Sequence, residues 1–468
     1  MTDKAATVAD DRALRLKQAQ AAARANRFDE ADRICVELLS DYPDYAPAYG
    51  LRGSIIASLG NLKVGARMLE EAVAARPMNP GLRSALADVY RISCRLDEAL
   101  ALAEPVARAH PRDVGFLGRL ANVYADRGEF DEALAVYMAI LAITPEEPSA
   151  HFGISQVLLA RGECRAGWIE YEWRNQLAQA ARTIPPVNGP AWNGMRMPSS
   201  RLLVICDEGF GDMLQFARYL PDVAKRCLEV VVVGGVEVSE LLQGVEGVSK
   251  FYERWADVPK FAAYCLLSSL PYIFGTELDT IPAPVPYLWP DRDKVVTWRE
   301  RLAGLPAGRR RVGLAWSGRP QHSNNPRRSM SLADLRPLTS VEGIELVSLQ
   351  KVVPEPDRAA MAADWRSMVE FSADLTDFSE TAALIANLDL VIAVDTSVGH
   401  LAGALGAPTW LMLANPPDWR WLLAPRDDSP WYPTVRLFRQ PQPGDWGDVV
   451  ARIRGELEAA ADLRKWEH

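Results

Sequence analysis

The sequence predicts an α-helical repeat solenoid followed by an α/β region built as two parallel-sheet halves, and three observations carry that prediction. Prolines Pro43, Pro77, Pro111 and Pro145 recur every 34 residues in the first third of the chain, a period at which helix–turn–helix units stack into an array. Beyond residue 200 short β-branched runs alternate with helical patterns, as parallel sheets with both faces covered require. All 14 tryptophans stand at Trp168 or later. The chain therefore changes character where the repeats end.

The repeats come first. Twelve residues before each of the four prolines sits a small residue, Ala31, Gly65, Ala99 and Ala133, and three residues earlier an apolar one, Phe28, Leu62, Leu96 and Phe130. Small residues also keep phase at Ala19, Gly53, Ala87 and Ala121. Two helices that cross closely need a residue without bulk at the contact, and the proline stops the second helix of each pair. Asp29-Glu30, Asp97-Glu98 and Asp131-Glu132 place carboxylates at a helix start, where free N–H groups favour them. Ser155, Cys164 and Gly167 keep the register into a fifth, imperfect unit that is expected to join the array to the next domain. On these positions the array resembles the tetratricopeptide repeat family, which implies a concave surface for a protein or peptide partner. A spacer or dimerisation element is the plainer alternative.

The α/β region starts after a punctuated loop at 180–200, with Pro185, Pro186, Gly189, Pro190 and Pro198. Strands are expected at Leu202–Cys206, Val230–Val233, Val312–Trp316, Leu346–Leu349, Val391–Val394 and Trp410–Leu413. The proline-rich segment 281–290 splits the region in two, giving domains at 10–180, 181–290 and 291–468. Two Rossmann-like halves facing a cleft, with ligands at the carboxyl ends of the strands, is the expected architecture.

Composition limits the chemistry. The chain has 468 residues, 49% hydrophobic and 24% charged, an ordinary globular balance that excludes wholesale disorder. A formal net charge of −9 argues against a general binder of nucleic acid or anionic membrane, so any anion site must be local. No apolar run approaches the roughly 20 residues of a membrane helix, and the N-terminus lacks the pattern of a secretory signal. No membrane insertion and a cytoplasmic location are expected. The six cysteines have no paired spacing and read as buried thiols.

Two stretches look chemical. The first expected strand of the α/β region runs into Asp207-Glu208-Gly209-Phe210-Gly211-Asp212, with Gln215 in the helix that comes next. Leu214 holds the place of the third glycine of a dinucleotide fingerprint, which argues against a nicotinamide or flavin enzyme. Gly209, Gly211 and Gln215 are expected to line the cleft loop. Asp212 followed by Gln215 also reads as a capping box at a helix start. In the last domain, six arginines and no acid stand between 309 and 328. Of that loop, Arg319, His322, Arg327 and Arg328 are candidates to hold phosphate, since arginine makes forked hydrogen bonds to its oxygens, whereas Arg309–Arg311 fit a solvated strand entrance. Leu388–Val394 then ends in Asp395-Thr396-Ser397-Val398-Gly399-His400, a strand-to-helix turn whose free N–H groups suit a phosphate. Thr396 or Ser397 as a simple cap and His400 as a packed histidine are the plainer alternatives. Gln350 and Lys351, which end another strand of the same domain, are further candidates for the same ligand site.

These motifs resemble bacterial glycosyltransferases of the heptosyltransferase-like type, with a GT-B fold. The tail through Asn415-Pro416-Pro417-Asp418-Trp419-Arg420-Trp421 and Arg436–Gln440 extends the likeness to tetratricopeptide-linked enzymes, including those implicated in flagellin glycosylation. The resemblance implies a sugar transferred from a nucleotide sugar to an acceptor. In it Asp212 is the candidate base, Asp395 reaches the sugar, and Thr396, Ser397, Val398 and Gly399 face the diphosphate. The family's basic residue in the 319–328 loop is often lysine, where this chain has arginine. Trp421 and Trp431 fit core packing better than stacking on a ligand. No cofactor and no metal are expected, since the five histidines are scattered without cysteine partners and no Asp-x-Asp ends a strand in the cleft region. A protein acceptor recruited by the repeats is the first reading. A lipid or saccharide acceptor, or a scaffold whose transferase fold has lost activity, are the alternatives.

Overall fold

A computed structural model of the protein describes residues 2–25, 27–177, 186–282, 284–319, 324–365 and 368–459. The chain forms two compact units, one ending at Ile154 and joined by a short later stretch that ends at Arg327, the other running from Ser155 through the rest.

The first unit is a run of antiparallel helix pairs: α1 (Thr2–Arg24), α2 (Phe28–Asp41), α3 (Ala46–Ser58), α4 (Leu62–Ala75), α5 (Pro80–Ile92), α6 (Leu96–Ala109), α7 (Val114–Arg127), α8 (Phe130–Ile143) and the start of α9 (Pro148–Ala160). The 34-residue phase survives folding, since α2, α4, α6 and α8 begin at 28, 62, 96 and 130. Each of these helices stops two residues short of its proline, at Asp41, Ala75, Ala109 and Ile143. The in-phase residues Ala19, Ala31, Ala87, Ala99, Ala121 and Ala133 are fully buried. At Gly65 the reason for smallness is direct, because a Cβ there would lie 2.7 Å from the Gly53 carbonyl oxygen of the facing helix.

The second unit opens with the end of α9 and with α10 (Cys164–Tyr171), then turns through Glu172–Gln176 into two all-parallel sheets. The first sheet has β1 (Met197–Ile205), β2 (Cys227–Val233), β3 (Val248–Tyr252) and β4 (Ala263–Leu266) in the order β3-β2-β1-β4. The second has β5 (Arg310–Ala315), β6 (Ile344–Ser348), β7 (Leu390–Val394), β8 (Thr409–Leu413) and β9 (Val435–Arg439) in the order β6-β5-β7-β8-β9. Both are open sheets with a switch point, between β1 and β4 and between β5 and β7, the places where such folds hold ligands. Together they form the GT-B arrangement of two Rossmann-like halves.

The six expected strands are all present, while β3, β4 and β9 were not anticipated. β3 (VSKFY) and β9 (VRLFR) are sheet edges whose polar residues interrupt the apolar run, and β4 has four residues. Short and edge strands carry little continuous hydrophobicity. A core of Val312, Leu314, Trp316, Leu332, Leu346, Ile392 and Val450 fixes the second sheet. Cys35, Cys164, Cys206 and Cys265 are buried free thiols, and Cys94 and Cys227 are partly buried.

Candidate active site

Both switch points open toward chain segments rich in charge. At the end of β1 three carboxylates follow within six residues, and each meets a different environment. Asp207 is buried and fully engaged: Ser268 donates to it through backbone N–H (3.0 Å) and through its hydroxyl, and Arg174 Nη2 lies 3.3 Å away. Arg174 comes from the turn after α10 and is itself buried, donating also to Glu172 (2.6 Å), Ser268 (2.6 Å) and Ser269 (2.8 Å). Glu208 is the most exposed of the three, with 43% of its side chain accessible and the Arg174 Nε 3.6 Å from one oxygen. Its backbone sits at φ +61°, a left-handed conformation uncommon for glutamate. Desolvation within the cleft loop, with the negative charges of Asp212 and Asp207 beside it, pushes its carboxyl up to about 7.

The third carboxylate is Asp212. The helix Phe210–Phe216 starts two residues before it, with Gly209 as its N-cap, so Asp212 is the third helical residue and not the cap itself. Its Oδ2 accepts the Gly209 N–H at 3.1 Å, the returning half of a capping box. Its Oδ1 pairs with Arg420 Nη2. Gln215, expected to complete a cap, instead accepts from Arg420 Nε at 2.8 Å. This corrects the local reading of Asp212–Gln215: the sequence places the N-cap three residues too late, at Asp212 in place of Gly209, because glycine also serves at an N-cap.

Arg420 is the residue that sequence reasoning quoted without a role. It is fixed by Asp212, by Gln215, by Asp418 Oδ1 at 2.8 Å and by the Trp419 ring, 4.2 Å from its guanidinium carbon. These anions and its hydrogen bonds hold its charge well above the usual arginine range despite burial. Arg218 does similar work without a carboxylate, donating to the carbonyls of Gln215 (2.8 Å) and Trp431 (2.7 Å) and to the Tyr287 hydroxyl (3.1 Å). A buried Arg–Asp pair and a buried Arg with carbonyl acceptors thus join the two sheet-bearing halves. No pattern in the sequence marks such contacts, since the partners lie about 200 residues apart.

The turn after β7 brings the Asp395–His400 candidates together at the start of a helix. Thr396 is the N-cap of the helix Ser397–Ala404, but its hydroxyl is buried and has no hydrogen-bond partner among the described residues. Arg328 has a buried Nε in the same condition, and its charge acts on Asp395. Asp395 is buried, and desolvation with the nearby Asp418 charge pushes its carboxyl upward. Gly399 is required by packing, since a Cβ would lie 2.5 Å from Leu411 Cδ1, while Ser397 and Val398 stay partly exposed. His400 is buried, with Nδ1 2.9 Å from the Tyr432 hydroxyl, its ring stacked on Trp421, and Nε2 3.9 Å from Asp395. Burial, with Arg420 and Arg218 nearby, keeps it neutral far below the usual histidine range. Gly211 allows this seam to close, because a Cβ there would meet His400 Cδ2 at 2.9 Å. Trp421 and Trp431 are buried, as their reading as core residues expects.

The remaining candidates part company. Gln350 is buried and shapes the loop after β5, accepting from the N–H groups of Trp316 and Ser317 (both 3.2 Å) and donating to the carbonyls of Ser317 (2.9 Å) and Val352 (3.0 Å). Lys351 donates to the carbonyls of Leu375 (2.6 Å) and Thr376 (2.5 Å). Arg319 is exposed, with its guanidinium 5.4 Å from the Phe210 ring. Arg327 belongs to the repeat unit, where Asp126 of α7 takes its guanidinium. His322 lies outside the described residues. Arg310 and Arg311 stand at the opposite end of β5 from the cleft.

Comparison with known proteins agrees with the architecture. Models of the tetratricopeptide repeat match residues 16–80 and 93–152, and a model of glycosyltransferase family 9 (heptosyltransferase) matches residues 359–412. The family 9 match contains β7, the Asp395–His400 turn and most of β8. A curated relative is protein FlbA of Caulobacter vibrioides, 27% identical over 333 residues, covering 65% of this chain and 54% of its own length. The chain therefore spans about half the length of that relative. Among solved structures, a thermophilic tetratricopeptide protein of Thermus thermophilus, TTC0263, is similar over 36% of this chain and 93% of its own (20% identity, TM-score 0.33). MamA from AMB-1 is similar over 36% of this chain and 99% of its own (22% identity, TM-score 0.28).

Proposed function

We propose that this protein is a glycosyltransferase that moves a sugar from a nucleotide sugar to a protein acceptor recruited by its repeats. The observation that carries the reading is a pair of buried donors without a partner among the described residues, the Thr396 hydroxyl at the start of the helix Ser397–Ala404 and the Arg328 Nε, whose charge acts on the adjoining Asp395. A buried polar atom without a partner is costly in isolation, and a donor's phosphate oxygens supply the missing acceptors at a place where the helix dipole favours negative charge. In this reading Asp395, which precedes Thr396, holds the sugar. Arg328 and the helix start neutralise the charge that builds on the departing phosphate without help from a metal. The repeats support a protein acceptor, because an array of this kind presents an extended surface that a small acceptor does not need.

Calorimetry with UDP and GDP tests the donor site directly. Arg328→Ala should weaken whichever nucleotide binds by about 1.5–3 kcal/mol, the range for a hydrogen bond to a charged group, that is roughly 10- to 150-fold. Equal affinity in the variant and the wild type would remove Arg328 from the site.

A further inference from the structure

We propose that Arg420 is a positioning residue of the transfer: it holds Asp212 until the donor's phosphate draws the guanidinium away, so that the base is released only when a donor is seated. This inference rests on the glycosyltransferase reading above, in which Asp212 is the base. Arg420 stands between the two. Its Nη2 pairs with Asp212 Oδ1 and its Nε donates to Gln215 Oε1 at 2.8 Å, both on the helix Phe210–Phe216 that follows β1. The other Asp212 oxygen accepts the Gly209 N–H, so both oxygens are engaged. The neighbouring contacts lead to the turn after β7. Gly211, next to Asp212, lies against His400, where a Cβ would be 2.9 Å from Cδ2 of the ring. Trp421, next to Arg420, stacks on that same ring with centroids 5.2 Å apart. The charge of Arg420 acts on both Asp395 and His400, as does that of Arg328. The carboxylate of the first sheet's half and the donor turn of the second therefore meet around one guanidinium.

That guanidinium is anchored at one end. Asp418 Oδ1 accepts from its Nη1 at 2.8 Å and from the Arg420 backbone N–H at 3.0 Å, and the Trp419 ring lies 4.2 Å from the guanidinium carbon. These contacts belong to residues 418–420 alone and persist when Nη2 leaves Asp212. A guanidinium seated on a carboxylate oxygen opposes the arrival of a proton there, and a phosphate offers the same fork several charged oxygens. Two anions that compete for one cation weaken each other's hold on it, and that coupling is reciprocal. Donor phosphate thus frees Asp212 Oδ1 and brings Arg420 beside the charge that will leave. In the step itself the acceptor oxygen attacks the anomeric carbon and forms the new C–O bond. The bond from that carbon to the donor's phosphate oxygen breaks, its electron pair leaves with the nucleotide, and the acceptor's proton passes to the released Asp212 oxygen.

Calorimetry on the full chain, with ADP, GDP, UDP, dTDP and CMP as probes, measures this competition without turnover. Asp212→Asn keeps an acceptor for the Gly209 N–H but drops the charge that holds Arg420. It should bind whichever nucleotide the wild type binds roughly 3- to 30-fold more tightly, a coupling within the span found for residues that share a partner, while turnover of the matching sugar nucleotide falls. A pair that only closed the seam would give unchanged or weaker binding when broken. In an Arg420→Gln background the gain should vanish, leaving Asp212→Asn within about twofold of its parent. A larger gain that persists there is the simple removal of a repelling charge and overturns the proposal, as does an Asp212→Asn affinity equal to or below wild type. If Arg420→Gln does not fold, Arg420→Lys takes its place, since it keeps the charge of the seam without the fork. The gain should then fall by at least about threefold, and a smaller change overturns the proposal. A wild-type protein that binds none of these nucleotides and releases nucleotide from none of the corresponding sugar donors overturns the glycosyltransferase reading itself.

Discussion

Among single residues, Asp212 and Glu208 differ in what the fold asks of them. Asp212 sits where a carboxylate serves both a helix start and an arginine, so its chemistry is partly used by structure. Glu208 is held in an environment that disfavours its charge, and this has a signature in stability independent of any substrate. Its pKa is 4.5 in an ordinary setting and about 7 in the folded chain. Between those values the native state binds more protons at this site than the unfolded chain does, so stability falls as pH rises from about 4.5 through 7. Glu208→Gln removes that loss. The variant is expected to melt above wild type at pH 8.5 and level with it at pH 4, by calorimetric or circular-dichroism melts at fixed ionic strength. An equal melting temperature at both pH values would mean that the carboxyl titrates normally.

Among the elements, α10 connects sequence order to the active region. By its register it continues the repeats, beginning 34 residues after α8, yet by its contacts it belongs to the α/β unit. Trp168 is almost wholly buried, donates from its indole N–H to the Thr276 carbonyl at 3.1 Å, and packs edge-on against Trp419 (5.2 Å), Tyr171 (5.7 Å), Phe216 (6.3 Å) and Trp431 (6.4 Å). One helix thus touches both halves of the cleft, and the turn after it delivers Arg174 to the end of β1. Trp168→Ala is expected to destabilise the protein by about 3–5 kcal/mol, the usual range for emptying a large aromatic site, in denaturant unfolding followed by tryptophan fluorescence. A loss below about 1 kcal/mol would mean that the aromatic cluster repacks around the gap.

For the whole molecule, the two units suggest different duties, and the place of the cut between them decides whether this can be measured. A fragment beginning at residue 155 keeps α10, Trp168 and Arg174 with the sheets. One beginning at 177 loses them. The 155–468 fragment is expected to stay folded and release nucleotide from the sugar donor at a rate near that of the full chain, while modification of the protein acceptor falls at least tenfold. The 177–468 fragment is expected to aggregate or to melt far lower, which gel filtration and thermal melts would reveal. Full modification of the acceptor by the 155–468 fragment would remove the recruiting role from the repeats.

The sequence by itself determined the repeat array to within a residue or two, because a 34-residue period writes the same steric demand four times and small residues at helix crossings have no substitute. It also determined six of the nine strands among the described residues and the strand-to-helix turn at Asp395–Gly399, all of them local patterns of apolar runs ended by small or capping residues. The candidate residues of that turn were legible because the chain places them in succession. What the tertiary structure alone decided is which charges remain available. Of the 319–328 arginines, Arg327 is taken by Asp126 while the Arg328 Nε has no partner among the described residues, and Gln350 and Lys351 are bound to backbone carbonyls or amides. Asp212 meets Arg420 and Gly211 meets His400 only after some 200 residues have folded between them. An ion pair or a close approach depends on where two distant segments are brought together, and no local pattern of apolar and polar residues encodes that distance.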